Sequence, residues 1–167
     1  MKKKLSSVTF WLFVFFSLIA VQAYSTFAQD VEIRGYWKTG SVGTIQYENR
    51  ITGALKNGRG SIFTYKFLPN GSYEFVGYME MNMYNCSNTL FNQITGRYTV
   101  DGSTIELNPS RDFWKSTNSC AASGNRQQTK TPTPKSVIFE MRSDDYGGQL
   151  LCLTEGGSET CYRKETD

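Results

Sequence analysis

Histidine is absent from this chain. Its absence excludes Ser-His-Asp and Cys-His catalysis in their usual forms and removes the commonest ligand for zinc and copper. Proline is scarce, four in 167 residues, and two of those lie together in Thr131-Pro132-Thr133-Pro134. No stretch carries a sustained apolar i, i+3, i+4, i+7 pattern with caps, so little helix is expected. Long hydrophobic runs are also missing, apart from one near the N-terminus that is too short for a membrane span.

That one run has company. Lys2, Lys3 and Lys4 precede it, it extends from Val8 to Val21 with only Thr9 and Ser17 as interruptions, and small-residue sites follow at Val21-Gln22-Ala23 and Thr26-Phe27-Ala28. Basic start, apolar centre and A-x-A-like site are the parts of a secretory signal peptide. Residues 1–28 are therefore expected to be a leader cleaved after 23 or 28, and the protein to be exported, to a periplasm or beyond the cell. No cysteine adjoins either site, so nothing points to a lipid anchor. The leader also accounts for the formal charge of +3. Without its three lysines the 18 basic residues become 15, equal to the 15 acidic ones. A neutral domain loses the argument for nucleic acid or anionic membrane as partner. Residues 29–167, about 140 in number, suit a single domain with one core and no membrane span.

All four cysteines, Cys86, Cys120, Cys152 and Cys161, lie in this domain. An even number in an exported chain reads as two disulfides. Residues 149–154 and 159–163 have strand character around Glu155-Gly156-Gly157-Ser158. A four-residue loop there places Thr154 opposite Glu159 and hence Cys152 opposite Cys161, at disulfide distance. Cys86 is left for Cys120. In the chain-entropy account the longer bridge contributes roughly 4 kcal/mol and the shorter roughly 3.

The domain reads as strand after strand. One hairpin runs from Ile62 to Met83 around Leu68-Pro69-Asn70-Gly71, with Phe67 opposite Tyr73 and Tyr65 opposite Phe75. Phe63, Tyr65, Phe67, Tyr73 and Phe75 then share a face. A second hairpin runs from Ile94 to Asn108 around Asp101-Gly102, which sets Tyr98 opposite Ile105 and buries Tyr98, Val100, Ile105 and Leu107. Further strands are expected at 34–39, 42–48 and 137–142. About eight to ten short antiparallel strands in meander order close into a barrel or stack as a sandwich. The polar segment 116–136 interrupts the pattern and is expected to be a long loop, tethered at Cys120.

Two local features carry possible chemistry. Met79, Met81 and Met83 alternate along a strand, which puts three thioethers on one face. Soft Met ligands hold Cu(I), but core filling that continues the Phe75 stripe explains the same spacing and is preferred. Asp144-Asp145-Tyr146-Gly147-Gly148 lacks the alternating ligands of a calcium loop and reads as a tight turn. Glu74, Glu106 and Glu140 fall on solvent faces, so a two-carboxylate glycosidase is disfavoured. A non-enzyme without cofactor or metal is expected.

Gly35-Tyr36-Trp37 opens the first strand of the domain. With Phe67-Leu68-Pro69-Asn70-Gly71-Ser72-Tyr73-Glu74, Gly96-Arg97-Tyr98-Thr99-Val100-Asp101-Gly102-Ser103-Thr104-Ile105, Tyr84-Asn85-Cys86, Thr89-Leu90-Phe91 and Leu151-Cys152-Leu153, it resembles the secreted lipocalin-like, or calycin-type, barrels, a largely uncharacterised group. The resemblance implies a small antiparallel β-barrel of about eight strands, with Trp37 packed across its closed end. The C-terminal helix of a true lipocalin is not found. On this reading the protein is a non-catalytic binder that holds a small apolar or aromatic molecule in the barrel. Trp37, Tyr65, Phe67, Tyr73, Phe75, Met79 and Met81 are the expected lining, although the same residues would also fill a dry core. The alternative is an exported protein–protein interaction module, such as a protease or lysozyme inhibitor, acting through 116–136.

Overall fold

The computed structural model describes residues 33–42, 47–48, 55–56, 59–83 and 86–165. The expected leader, 1–28, lies outside them. Among the described residues are eleven strands: β1 (Gly35–Val42), β2 (Tyr47–Glu48), β3 (Leu55–Lys56), β4 (Gly60–Phe67), β5 (Ser72–Met83), β6 (Cys86–Asp101), β7 (Thr104–Asn118), β8 (Arg126–Lys130), β9 (Lys135–Ser143), β10 (Gln149–Glu155) and β11 (Ser158–Glu165). Of the strand expected at 42–48, Val42 belongs to β1 and Tyr47–Glu48 pair with β3 as a separate two-stranded ladder.

Eight strands close an all-antiparallel barrel in chain order, β1-β4-β5-β6-β7-β9-β10-β11. The seam is β1 against β11, with Trp37 opposite Lys164. Closure removes the free edges that an open meander exposes. At one end lie the turns 68–71, 102–103 and 144–148, and at the other the β10–β11 turn and the far ends of β5, β6 and β7.

The first hairpin forms in the expected register, with Phe67 opposite Tyr73 and Tyr65 opposite Phe75. Asn70 accepts from the Ser72 backbone N–H at 3.0 Å, and Gly71 supplies a φ of 75°. The second hairpin departs from expectation. Its loop is Gly102-Ser103, so Asp101 faces Thr104, Val100 faces Ile105, and Tyr98 faces Leu107 rather than Ile105. Gly102 (φ 57°) takes the first turn position, where two-residue hairpin loops need a positive φ. The shift is two residues, so every side chain keeps its face, and Tyr98, Val100, Ile105 and Leu107 are buried as their alternation demands.

The segment expected as a long loop, 116–136, is instead about half strand. β7 continues to Asn118, turns through 119–125, and returns as β8 against Asp112–Ser116. β9 then pairs with Thr104–Leu107 of the same strand at an unchanged offset. β8 and β9 are thus one strand line interrupted at Thr131-Pro132-Thr133-Pro134, where prolines supply no N–H to the ladder. Directly opposite, β7 carries Pro109 and β6 shifts register between Thr95 and Gly96. A Cβ on Gly96 would overlap the Asn108 carbonyl and Pro109 Cα. This line of proline and glycine divides the wall. Above it β6, β7 and β8 run on as an arm, joined by the end of β5, which is paired with β4 only as far as Glu80.

The disulfides pair as expected, Cys86–Cys120 and Cys152–Cys161. The second joins directly opposed residues of β10 and β11, with the turn shortened to Gly156-Gly157. The first ties the base of β6 to the tip of the β7–β8 hairpin. Two such bonds are what an oxidising, export-type compartment produces.

Candidate functional site

The closed end is packed solid. Trp37 is fully buried, and its indole N–H donates to the Ile33 carbonyl at 2.7 Å. Lys164 caps the ring, its Nζ 5.2 Å from the centroid. Gly35 sits at φ 130°, and a Cβ there would press on the Lys164 chain, so the glycine of Gly35-Tyr36-Trp37 has a steric reason. Phe67, Tyr73 and Tyr98 fill the space above, with Phe67 edge-on to Tyr98 at 5.0 Å. Tyr98 Oη donates to the Leu68 carbonyl. Trp37, Phe67 and Tyr73, named from sequence as lining, therefore stand in this plug.

Two cavities formed by the described residues lie at the open half. The first, about 240 Å3, is walled by Tyr65, Tyr162, Val137 and Leu153, with Glu155 and Thr160 at its polar side. Tyr65 and Tyr162 meet edge-on at 5.3 Å. Glu155 is paired with Lys135 at 2.7 Å. Burial is the main cause that pushes both phenols up, Tyr162 to about 12 and Tyr65 further, with the nearby Glu155 charge adding to each. Both stay neutral donors at physiological pH and cannot act as bases.

The second cavity, about 280 Å3, lies where the arm joins the barrel. Phe63, Phe75, Met79, Leu90 and Trp114 form its apolar wall. Asn92, Asp112 and Lys130 supply its polar groups. Asn92 donates to Asp112 Oδ1 at 2.7 Å and to the Phe113 carbonyl at 3.0 Å. Lys130 Nζ lies 5.7 Å from the Trp114 ring centroid. Tyr65 links the two spaces: it lines the first, and its ring is 4.9 Å from Phe75, which lines the second. Each volume is near the lower end of small-molecule sites, about 300–1,000 Å3.

Three of the residues expected to line a ligand site, Tyr65, Phe75 and Met79, thus border cavities. Met81 does not. It is 61% exposed and Met83 62%, both on the inner face of the arm beyond the rim, and Met79 is 36% exposed. The preferred reading of these methionines as core filler is overturned, because β5 outruns the barrel that would have covered them. Trp114, Asp112 and Lys130 were missed. Their signal is alternation: Asp112, Trp114 and Ser116 share a strand face, in a part of β7 beyond the expected hairpin end at Asn108. Among the described residues, one group offers three metal-type ligands, Cys152, Glu159 and Cys161. Its two sulfurs are bound to each other. Asp144 accepts from the Tyr146 and Gly148 N–H groups, as a turn carboxylate does.

No known protein family matches the sequence, and no curated protein matches it.

Proposed function

We propose that this is an exported, lipocalin-like binding protein that holds a small aromatic or apolar molecule at the open end of its barrel, without catalysis. One observation carries the reading: the barrel is packed at its closed end, and at its open end two small clefts open where aromatic walls meet a few convergent polar groups, the usual make-up of a small-molecule site. The secretory pattern of residues 1–28 and the two disulfides support export. Native mass spectrometry of protein purified from its own host tests the proposal. A retained small molecule that is lost on Phe75→Ala or Trp114→Ala supports it; a mass equal to the bare polypeptide, with no shift on incubation with aromatic probes, defeats it.

A second reading has its own observation. The β7–β8 hairpin is an ordered projection: Ser119 and Ser87 exchange hydrogen bonds at 2.8 and 2.9 Å beside the Cys86–Cys120 bridge, and Asn118 Oδ1 accepts from the N–H groups of Cys120 and Ala121. The residues of its tip, 119–125, are all exposed. A stapled, pre-ordered tip loses little entropy on binding a protein. Replacing Ala121–Gly124 by a two-residue turn should leave small-molecule binding intact and abolish any inhibition of a partner enzyme.

A further inference from the structure

We propose that the Phe75–Trp114 cavity takes a zwitterionic α-amino acid with an aromatic side chain; this rests on the barrel-mouth reading and names the ligand class of that site. Asp112 on β7 and Lys130 on β8 are Cα partners across the ladder, and both line the cavity. Directly opposed strand residues carry their Cβ atoms about 4.5–5.5 Å apart, so a negative and a positive group stand side by side at the polar edge of an aromatic pocket. Asp112 has one oxygen committed to Asn92. Lys130 rests over Trp114, a position from which its flexible chain reaches a carboxylate.

A hydrocarbon ligand seated here would further desolvate the half-buried Asp112, which has Asn92 as a hydrogen-bond donor, at a cost, and would leave the exposed Lys130 ammonium unused. A ligand with one charge satisfies one of them. An α-amino acid carries ammonium and carboxylate on a single carbon, a spacing that matches adjacent receptors: ammonium to Asp112, carboxylate to Lys130, both charge-assisted. Its ring then enters among Phe63, Phe75 and Trp114, where aromatic pairs add to area burial.

The test uses the disulfide-bonded domain and four probes with a common ring: L-phenylalanine, 2-phenylethylamine, 3-phenylpropionate and 2-phenylethanol. Binding is read by fluorescence of Trp114 and by calorimetry. Phenylalanine is expected to bind at least tenfold more tightly than each of the other three. Asp112→Asn should bring phenylalanine to the level of phenylpropionate, and Lys130→Met to that of phenylethylamine, with unchanged circular dichroism. Equal affinity for 2-phenylethanol and phenylalanine overturns this inference while sparing the barrel-mouth reading. No binding by any of the four also overturns this inference, and the barrel-mouth reading falls with it when native mass spectrometry finds only the bare polypeptide. The wild-type probe series decides the matter even if a variant fails to fold.

Discussion

The Trp37 indole N–H donates to the Ile33 carbonyl at 2.7 Å, and both residues are wholly excluded from water. The contact joins the chain just before β1 to the bottom of the barrel and seals that end. Trp37→Ala should cost about 3–5 kcal/mol, as large-to-small changes of a buried Trp do. Trp37→Phe should cost less, but it leaves the Ile33 carbonyl unpaired, at about 1–3 kcal/mol. Urea denaturation of the two variants orders them.

Gly96 lies against the backbone of Asn108 and Pro109, so the bend between barrel and arm depends on its lacking a side chain. Gly96→Ala should destabilise by about 1–3 kcal/mol through overpacking. Gly124→Ala, where a Cβ meets nothing within 4 Å, should be nearly neutral. A thermal melt of each separates backbone crowding from a general glycine effect.

The two disulfides close loops of different size, with sequence separations of 34 and 9. Chain entropy predicts a loss of roughly 4 kcal/mol for the Cys86→Ser/Cys120→Ser pair and roughly 3 for Cys152→Ser/Cys161→Ser. Amide hydrogen exchange should locate the effects differently. The first pair should loosen 116–130, and the second the β10–β11 hairpin inside the barrel wall.

Ionisation limits stability at both ends of the pH scale. Burial, then the Asp112 charge, pushes Tyr73 to about 12, and burial, then Glu155, does the same for Tyr162. A phenol with a raised folded value is deprotonated first in the unfolded chain. Stability is therefore intact below the ordinary pKa of 10 and falls as pH climbs toward 12. Absorbance at alkaline pH should show these tyrosines ionising only with unfolding. At the acid end the Gly148 N–H, then the Tyr146 N–H and Arg163, hold Asp144 below its ordinary value. Arg163 stands 2.5 Å from its second oxygen as an ion pair, though not aligned as a hydrogen bond. That contribution is present above the ordinary Asp range and is lost as pH falls through the depressed value. Asp144→Asn should narrow the stability difference between neutral and acid pH.

Exposed thioethers oxidise first. Peroxide should convert Met81 and Met83 to sulfoxides ahead of Met141, which packs against the core. Peptide mass spectrometry of a time course gives the order.

Much of the barrel was legible because its signals are local. Alternation put Phe63, Tyr65, Phe67, Tyr73 and Phe75 on one face, and turn residues at 68–71 set their register. The Cys152–Cys161 pairing followed from strand geometry alone. The turn at Gly102 lies one residue further on than expected, which moves the register by two, because Asp-Gly and Gly-Ser are both compatible with a two-residue loop. Side chains were placed correctly even so, since an even slip keeps their faces. The methionine stripe and 116–136 were misread for a different reason. Alternation says which residues share a face, but not whether another wall stands opposite. Polar composition in 126–130 masked a strand whose partner, β7, lies ten or more residues away.

The amino-acid order by itself determined the β architecture, the disulfide pairing and the aromatic face, because these depend on period-two patterning, turn chemistry and short-range geometry. Tertiary structure alone decided where that face is covered and where it is hollow. Closure of β11 onto β1 packs Trp37, Phe67 and Tyr73 into a plug. The proline and glycine line at 96, 109 and 132–134 carries β5 to β8 past the rim, leaving Met81 and Met83 in the open. That same bend brings Asp112, Trp114 and Lys130 beside Phe75, a juxtaposition of three strands that no single stretch of sequence contains.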